Sequence, residues 1–355
     1  MMKKVMALSL ALVLIVSLAA GCGGGTEQTQ APASDAPASE APASEAPSGT
    51  AEYTMSVASA DGSGGIAHRG LQEFEKYVEE QSGGRIDVVI YMDGILGGER
   101  EALESVKLGS IQATCAGTAS FSAYDERIAV VNLPFLYPDF DSFVASVEGE
   151  GGEALDEILA EQDIKALGYY ASGLRLIGNN KHTIHTVDDL QGIKMRVPEQ
   201  DIFLKMFEAM GTNPTPMSWT ECYTGLQQGT IDGMECSPAA IYDSKLHEVL
   251  DYMTITNHSI DTCILAVSPT WLASLPEDLQ QIVIDGGKVA CDFMNTTFDE
   301  ESAKIIEEFA ASGVEVTTLT DEERATFVEA VAPVYDEYTD IFGQELIDLF
   351  RSYSE

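Results

Sequence analysis

Residues 53–92 read YTMSVASADGSGGIAHRGLQEFEKYVEEQSGGRIDVVIYM, and they contain one complete strand–helix–strand unit. The opening residues have the composition of a strand. Leu71, Phe74 and Val78 then fall at helical spacing, and a pair of glycines follows where the helix should end. The run 86–92 is apolar enough for a strand that is buried on both faces. This stretch predicts α/β layers with largely parallel strands.

The same alternation of strand and helix signals continues along the chain. Further strands and helices are predicted at 99–108, 111–115, 143–160, 164–170 and 193–197. From Pro276 to about Ala311 the pattern is helical for an unusually long stretch, with a bend or weak point predicted at Gly286 and Gly287. Sheets of this class bind ligands beyond the carboxyl ends of their strands, so we expect a site where those loops meet.

The first 21 residues predict a secretory signal peptide and no part of the fold. Lys3 and Lys4 precede an apolar run from Val5 to Leu18, and small residues then lead to Cys22. The stretch Leu-Ala-Ala-Gly-Cys resembles a bacterial lipobox, which implies lipidation of Cys22 and an anchor on the outer face of the cell membrane. The alternative is ordinary signal cleavage beside an incidental cysteine.

Residues 22–50 predict a disordered tether between that anchor and the folded body. Ala, Pro, Ser and acidic residues repeat there, as in the segment 36–40. Such a composition buries no apolar surface and stays extended in water. No other apolar run is long enough to cross a bilayer, so contact with the membrane is expected only through the lipid anchor.

The net charge of −39 argues against nucleic acid and against an anionic membrane surface as partners. In such an acidic chain, an anion-binding site has to rely on its few arginines. Six cysteines are present: Cys22, Cys115, Cys222, Cys236, Cys263 and Cys291. They form no C-x-x-C pair, and no zinc-like spacing appears, so no metal or cofactor is indicated and most thiols are expected to be buried.

Several separate motifs occur in an order that resembles the substrate-binding proteins of TRAP transporters, the DctP-type family. They are Gly192-Ile193-Lys194-Met195-Arg196-Val197-Pro198, the run from Asn213 to Tyr223, Ile231-Asp232-Gly233-Met234-Glu235, Leu133-Pro134-Phe135 and Leu275-Pro276-Glu277. The resemblance covers about residues 53–350. It implies a two-lobed fold like that of periplasmic binding proteins, with a cleft between the lobes and one long helix spanning both.

On this resemblance, lobe I comprises residues 51–173 plus about 262–301, and lobe II comprises 174–261 plus about 302–355. The implied function is capture of a small organic acid and its delivery to a TRAP membrane permease. A lipoprotein sensor that feeds a membrane receptor is the alternative. An extracellular hydrolase is a further one, although no G-x-S-x-G, H-E-x-x-H or paired Cys/His signature is present, so the chain is expected not to be an enzyme.

The resemblance assigns Arg196 as the main carboxylate clamp, since a guanidinium matches a carboxylate with two parallel hydrogen bonds. Its alternative role is a structural ion pair. Arg175 matches a second arginine position beside the ligand, with a surface salt bridge as its alternative. Trp219 corresponds to an aromatic ligand contact, or otherwise to a core aromatic residue.

Four further residues are implicated by the resemblance. Cys236 stands where the family usually has an asparagine that binds the carboxylate, and Ser237 follows it. Because a thiol is a weaker donor than an amide, either Ser237 or water replaces that contact, or the ligand is held differently. Gly117 and Thr118 occupy a lobe I loop that helps to form the pocket in relatives. The identity of the acid stays open at this point.

Overall fold

The structure is a computed structural model, and it describes residues 51–354. The strands are β1 (Tyr53–Ser59), β2 (Ile86–Tyr91), β3 (Ala113–Gly117), β4 (Lys165–Leu174), β5 (Leu176–Asn179), β6 (Lys194–Val197), β7 (Asn213–Pro216), β8 (Gly233–Cys236), β9 (Tyr252–Ile255), β10 (Ile260–Val267) and β11 (Glu315–Thr318). The predicted signal peptide, Cys22 and tether lie outside the described residues.

The α-helices are α1 (Ile66–Gln81), α2 (Glu99–Lys107), α3 (Thr118–Ser122), α4 (Phe140–Glu148), α5 (Glu150–Glu161), α6 (Asp201–Ala209), α7 (Cys222–Gln227), α8 (Pro238–Asp243), α9 (Pro269–Ser274), α10 (Glu277–Ala311), α11 (Asp321–Phe342) and α12 (Gln344–Arg351). Short 3₁₀ turns occupy Glu126–Asn132, Val187–Leu190, Trp219–Glu221 and Leu246–Val249. None of the helices in this described part is both long and apolar enough for a membrane span.

The strands form two sheets, one in each lobe, and this confirms the predicted two-lobed α/β fold. The first sheet has the order β2-β1-β3-β10-β4, and the second has the order β11-β9-β5-β8-β6-β7. Both sheets are mixed. β10 runs antiparallel to β3 and β4, and β5 runs antiparallel to β8 and β9. The expectation of largely parallel sheets is thus too simple. The chain passes directly from β4 to β5 and from β9 to β10. No crossover helix of the kind that joins parallel strands lies between them.

The long helix α10 is continuous over 35 residues, or about 50 Å. It contacts α1 and β4 on the first sheet's side, and α8 and β11 on the second. The helix is not interrupted at Gly286 and Gly287, where the sequence predicts a bend or weak point. Both glycines are buried, and a Cβ at Gly287 would lie 2.4 Å from the Leu167 Cβ and 2.8 Å from the Leu167 carbonyl oxygen. The glycines allow the helix to approach the sheet closely.

We expect Gly287→Ala to destabilise the protein by on the order of 1 kcal/mol or more. Alanine favours a helix over glycine by about 1 kcal/mol. The added methyl group, however, meets a backbone carbonyl that cannot rotate away, so the cost of overpacking should be larger. Urea unfolding of both proteins measures the difference. A variant as stable as the parent would contradict the close-packing role.

The described cysteines are all free and buried, which confirms the expectation of buried thiols: Cys115, Cys222, Cys236, Cys263 and Cys291. The chain ends on the first sheet's side, where α12 packs against α5. There the Glu150 backbone N–H donates to the Tyr353 hydroxyl at 3.0 Å. The last described residues are thus fixed to the folded body.

Candidate functional site

A cleft of about 690 Å³, including its opening to solvent, lies between the two sheets. The loops that line it leave the carboxyl ends of β1, β3, β6 and β8, as the strand pattern predicts. Six of the seven predicted ligand-binding residues line this one cavity: Gly117, Thr118, Arg175, Arg196, Trp219 and Cys236. Ser237 does not line it. The structure therefore brings together residues that are up to 119 positions apart in sequence (236 − 117).

Arg196 reaches the cleft from the third position of β6, just before Pro198. Its side chain is buried, with 4% of the residue exposed. Nε donates to the Met217 carbonyl oxygen at 3.0 Å, and the guanidinium lies 5.6 Å from the centre of the Trp219 ring. Among residues 51–354, no side chain forms an ion pair with Arg196 or a hydrogen bond with its terminal amino groups. A buried fork of donors without an acceptor is suited to an anionic ligand.

Arg175 lies between β4 and β5, and its guanidinium is already paired. Its Nε and Nη2 contact the Glu235 carboxylate, with an Nη2–Oε1 distance of 2.7 Å, and Nη1 contacts Asp261. The ring of Phe203 lies 4.8 Å from the guanidinium carbon. Arg175 thus lines the cleft with its charge balanced by two buried carboxylates.

The partner of this arginine, Glu235, is charged in spite of complete burial. Burial raises the pKa of its carboxyl, but Arg175 and the His258 ring outweigh that effect and hold the pKa at about 2. The His258 Nε2 lies 3.2 Å from Glu235, and its Nδ1 lies 2.7 Å from the Thr256 hydroxyl. Burial lowers the pKa of His258, so the ring is neutral at pH 7.

Cys236 and Ser237 surround Asp261 at the floor of the cleft. The Cys236 thiol lies 3.3 Å from Asp261 Oδ2, and the Ser237 hydroxyl donates to the same oxygen at 2.9 Å. Ser172 completes this group at 2.6 Å from Ser237. Burial, followed by the charge of Asp261, raises the pKa of the Cys236 thiol well above its usual range, so it stays protonated and donates. Ser237 is fully buried beneath the cavity, where it supports Asp261.

The lobe I loop at Gly117 and Thr118 is held by neighbouring polar groups. The Gly117 backbone N–H donates to Glu99 Oε1 at 3.1 Å, and the Thr118 hydroxyl donates to Asn132 Oδ1 at 2.6 Å. Trp219 is half-buried on the opposite wall. The small loop residues leave the cleft open between the two lobes.

Sequence reasoning missed the acids of the cleft. Asp61, Glu99, Asp243 and Asp261 all line it. With 58 acidic residues in the chain, none of them stands out by type. Asp61 follows β1 directly, however, and that position at a carboxyl end is the signal that would have found it.

The carboxyl group of Asp61 is a weaker acid than that of an ordinary aspartate. Burial, and then the nearby charge of Glu99, raises the pKa of Asp61 to about 7 from an ordinary 3.8. The hydrogen bond from the Ser59 hydroxyl, at 2.8 Å, acts in the opposite direction and only partly offsets this rise. Near neutral pH the carboxyl group is therefore a mixture of protonated and ionised forms.

This acidity predicts a pH dependence of stability. Between about pH 4 and pH 7 the native state holds a proton on Asp61 that the unfolded chain has lost, so the contribution of Asp61 to stability falls as pH rises. Asp61→Asn removes that decline. The stability of the variant relative to that of the parent should therefore be greater at pH 8 than at pH 4. Thermal unfolding without ligand measures this stability difference, and Asp87→Asn, at an exposed position of β2, is the control. Parallel curves for parent and Asp61→Asn would refute the raised pKa.

Two mixed sheets with a cleft between them and, among residues 51–354, a buried cleft arginine without an ion-pair partner are features of a protein that binds an anionic solute. The chain belongs to the family described as bacterial extracellular solute-binding protein, family 7 (DctP), whose sequence model matches residues 57–340. This confirms the predicted family.

Relatives and solved structures agree with this membership. The chain is 30% identical over 277 residues to the C4-dicarboxylate-binding periplasmic protein DctP of Vibrio cholerae, covering 77% of this chain and 82% of the relative. It is 27% identical over 277 residues to the C4-dicarboxylate-binding protein DctB of Bacillus subtilis, covering 78% and 79%. A TRAP periplasmic solute-binding protein of Sulfurospirillum deleyianum with bound succinate matches with a TM-score of 0.82 and 25% identity, over 86% of this chain and 100% of that one. The sugar acid binding protein DctPAm of Advenella mimigardefordensis, in complex with galactonate, matches with 0.81 and 26%, over 85% and 97%.

Proposed function

We propose that this protein captures a small organic acid by its carboxylate in the cleft and delivers it to a TRAP-type membrane permease. The observation that carries the proposal is the buried Arg196 guanidinium, whose terminal amino groups have no partner among residues 51–354. Solved relatives hold carboxylates such as succinate and galactonate. The family membership supports delivery to a permease and speaks against catalysis.

The predicted site residues take different parts in this proposal. Arg196 clamps the carboxylate, and Trp219 closes the wall beside it. Gly117 and Thr118 border the ligand from lobe I, and Cys236 borders it from lobe II. Arg175 and Ser237 hold Glu235 and Asp261 in place beneath the ligand, so they act mainly by positioning.

Calorimetry of the folded body against a panel of organic acids tests capture, and uptake of the best acid into proteoliposomes that contain the permease tests delivery. Binding raises the stability of the native state by mass action, so a thermal-shift screen can rank the acids first. We expect saturable binding of at least one acid and uptake that requires this protein. Binding without dependent uptake would favour a sensor role.

We also propose that residues 1–21 are removed, that Cys22 is lipidated and that residues 22–50 tether the body to the outer face of the membrane. The support is the lipobox-like sequence and the Ala/Pro/Ser/acid repeat. Mass spectrometry of the protein from its native host decides this. An unmodified N-terminus beyond Cys22 would rule out the anchor.

We further propose lobe I as residues 51–173 plus about 262–301 and lobe II as 174–261 plus about 302–355. The membership of the strands in two sheets supports this division, and α12 of lobe II packs against α5 of lobe I. Gln200 Nε2 donates to the Ser122 hydroxyl across the cleft at 2.8 Å, as expected of closed lobes.

Closure on the ligand is the expected capture mechanism. The Ile66 backbone N–H donates to Asp243 Oδ2 across the cleft at 3.1 Å, and Arg100 lies 3.9 Å from Glu199. Such contacts exist only when the lobes are shut, so a ligand that touches both lobes shifts the population towards this form. Small-angle scattering should show a smaller radius of gyration at saturating ligand. Identical profiles with and without ligand would refute closure.

A further inference from the structure

The cleft holds more carboxyl groups than basic groups once its internal ion pairs are removed. Arg175 forms ion pairs with Glu235 and Asp261. Arg196 is left as the cation that can meet a ligand. Three carboxylates that also line the cleft have no ion-pair partner among residues 51–354: Asp61, Glu99 and Asp243. A ligand with a carboxylate at each end would place its second charge near these acids, where like charges repel.

Unused hydrogen-bond acceptors line the same cavity. Gln200 is 5% exposed and Thr262 is 1% exposed, and the Gln200 Oε1 and Thr262 Oγ1 atoms have no partner among the described residues. Gln200 Nε2 contacts Ser122 and Asn132, which fixes the amide so that its oxygen is the free atom. These neutral oxygens are independent of the acids. The Gln200 amide oxygen requires a hydrogen-bond donor from the ligand, and the Thr262 hydroxyl can accept from the ligand or donate to it.

The carboxylates have acceptor capacity to spare as well. Asp61 accepts from Ser59 through Oδ2, and Asp243 accepts from the Ile66 N–H through Oδ2. A carboxylate oxygen has two lone pairs, so both groups can take further donors. Away from Arg196, the walls thus offer mostly acceptors to a ligand.

We propose that the ligand is a polyhydroxylated monocarboxylate, a sugar acid whose hydroxyl groups donate to Asp61, Asp243, Gln200 and Thr262, and that the cleft rejects dicarboxylates. This inference rests on the proposed capture of a carboxylate by Arg196. Hydroxyl groups supply donors without adding negative charge, and they satisfy charged and neutral acceptors alike.

The raised pKa of Asp61 agrees with a neutral partner. Near pH 7 its carboxyl group exchanges between protonated and ionised forms, and a hydroxyl group pairs with both because it donates and accepts. A ligand ammonium group would also supply donors, but it would form an ion pair only with the ionised form. A zwitterionic acid, which carries an ammonium group, is therefore the most informative alternative ligand to include in the test.

Calorimetry of the folded body with galactonate, succinate and 4-aminobutyrate distinguishes these classes. We expect galactonate to bind at least about tenfold more tightly than the other two, a difference equal to one good hydrogen bond to a charged group. Succinate binding as tightly as galactonate overturns this inference and leaves carboxylate capture standing. Tightest binding of 4-aminobutyrate overturns the hydroxyl assignment. If no acid in the wider panel binds, the proposed function itself fails.

The Asp61→Asn variant tests the same point from the side of the protein, with exposed Asp87→Asn as a control for loss of one charge. Asp61→Asn should weaken galactonate binding about tenfold and should strengthen succinate binding, because it replaces one acceptor oxygen by an amide donor and removes a repulsive charge. Asp87→Asn should leave both affinities unchanged. Equal losses for the two acids would mean that Asp61 only supports the fold, and this would overturn the inference.

Discussion

Arg196→Lys is expected to weaken binding of the acid about ten- to a hundredfold while the protein stays folded. In the structure the guanidinium is held by its Nε bond to the Met217 carbonyl oxygen and by the Trp219 ring, and Arg196 lines the cleft, so its terminal amino groups are available to a ligand as a fork of donors. Lysine replaces that fork by a point charge that cannot make two parallel bonds. The loss of one charge-assisted hydrogen bond in a closed cleft corresponds to about 1.5–3 kcal/mol.

Calorimetry with the best acid of the panel measures the loss, and melting curves check folding. Arg85→Lys is the matched control, since Arg85 pairs with Glu52 and Asp278 on the surface, far from the cleft lining. Its affinity should equal that of the parent. Wild-type affinity in Arg196→Lys would assign Arg196 a structural role and would remove the central residue of the proposed site.

Arg175→Met should have the opposite signature, a large loss of stability. Arg175 is 3% exposed and neutralises two buried carboxylates, Glu235 and Asp261. Methionine keeps much of the volume but leaves both acids uncompensated in a low dielectric. Removing one partner of a buried ion pair costs about 3–5 kcal/mol, so the variant should unfold at a much lower urea concentration.

Arg85→Met is again the matched control, because an ion pair on the solvent-exposed surface contributes little to stability. Equal stability losses at the two arginines would contradict the buried-network role of Arg175. The double variant Arg175→Met/Glu235→Gln should recover part of the loss, since it removes one stranded charge.

The lysine variants also distinguish the roles of Arg175 and Arg196. Arg175→Lys keeps a cation beside Glu235 and Asp261 but loses the fork, so it should weaken binding less than Arg196→Lys and should destabilise the fold more. If Arg175→Lys is the worse binder, the clamp has been assigned to the wrong arginine.

The sequence by itself predicted the α/β class, the long helix, the family and the arginine of the clamp. Strand and helix periodicity is local, so elements such as β1, α1 and β2 follow from neighbouring residues. Arg196 was found because it sits in a compact motif that ends at Pro198. The close packing at Gly287 was not predicted, because a glycine in a helix serves either flexibility or close packing, and sequence gives no sign of the strand it meets.

Only the tertiary structure decided which charges in the cleft are paired. Arg175 meets Glu235 and Asp261, which lie 60 and 86 residues away along the chain. No local pattern encodes such contacts in a chain with 58 acids. The same holds for Asp61, whose raised pKa arises from burial and from the charge of Glu99. The motif therefore indicated the arginine that we propose holds the anion. The proposal about the rest of the ligand depends on the folded arrangement of distant carboxylates, because ion pairing and burial depend on distance in space and not on position in sequence.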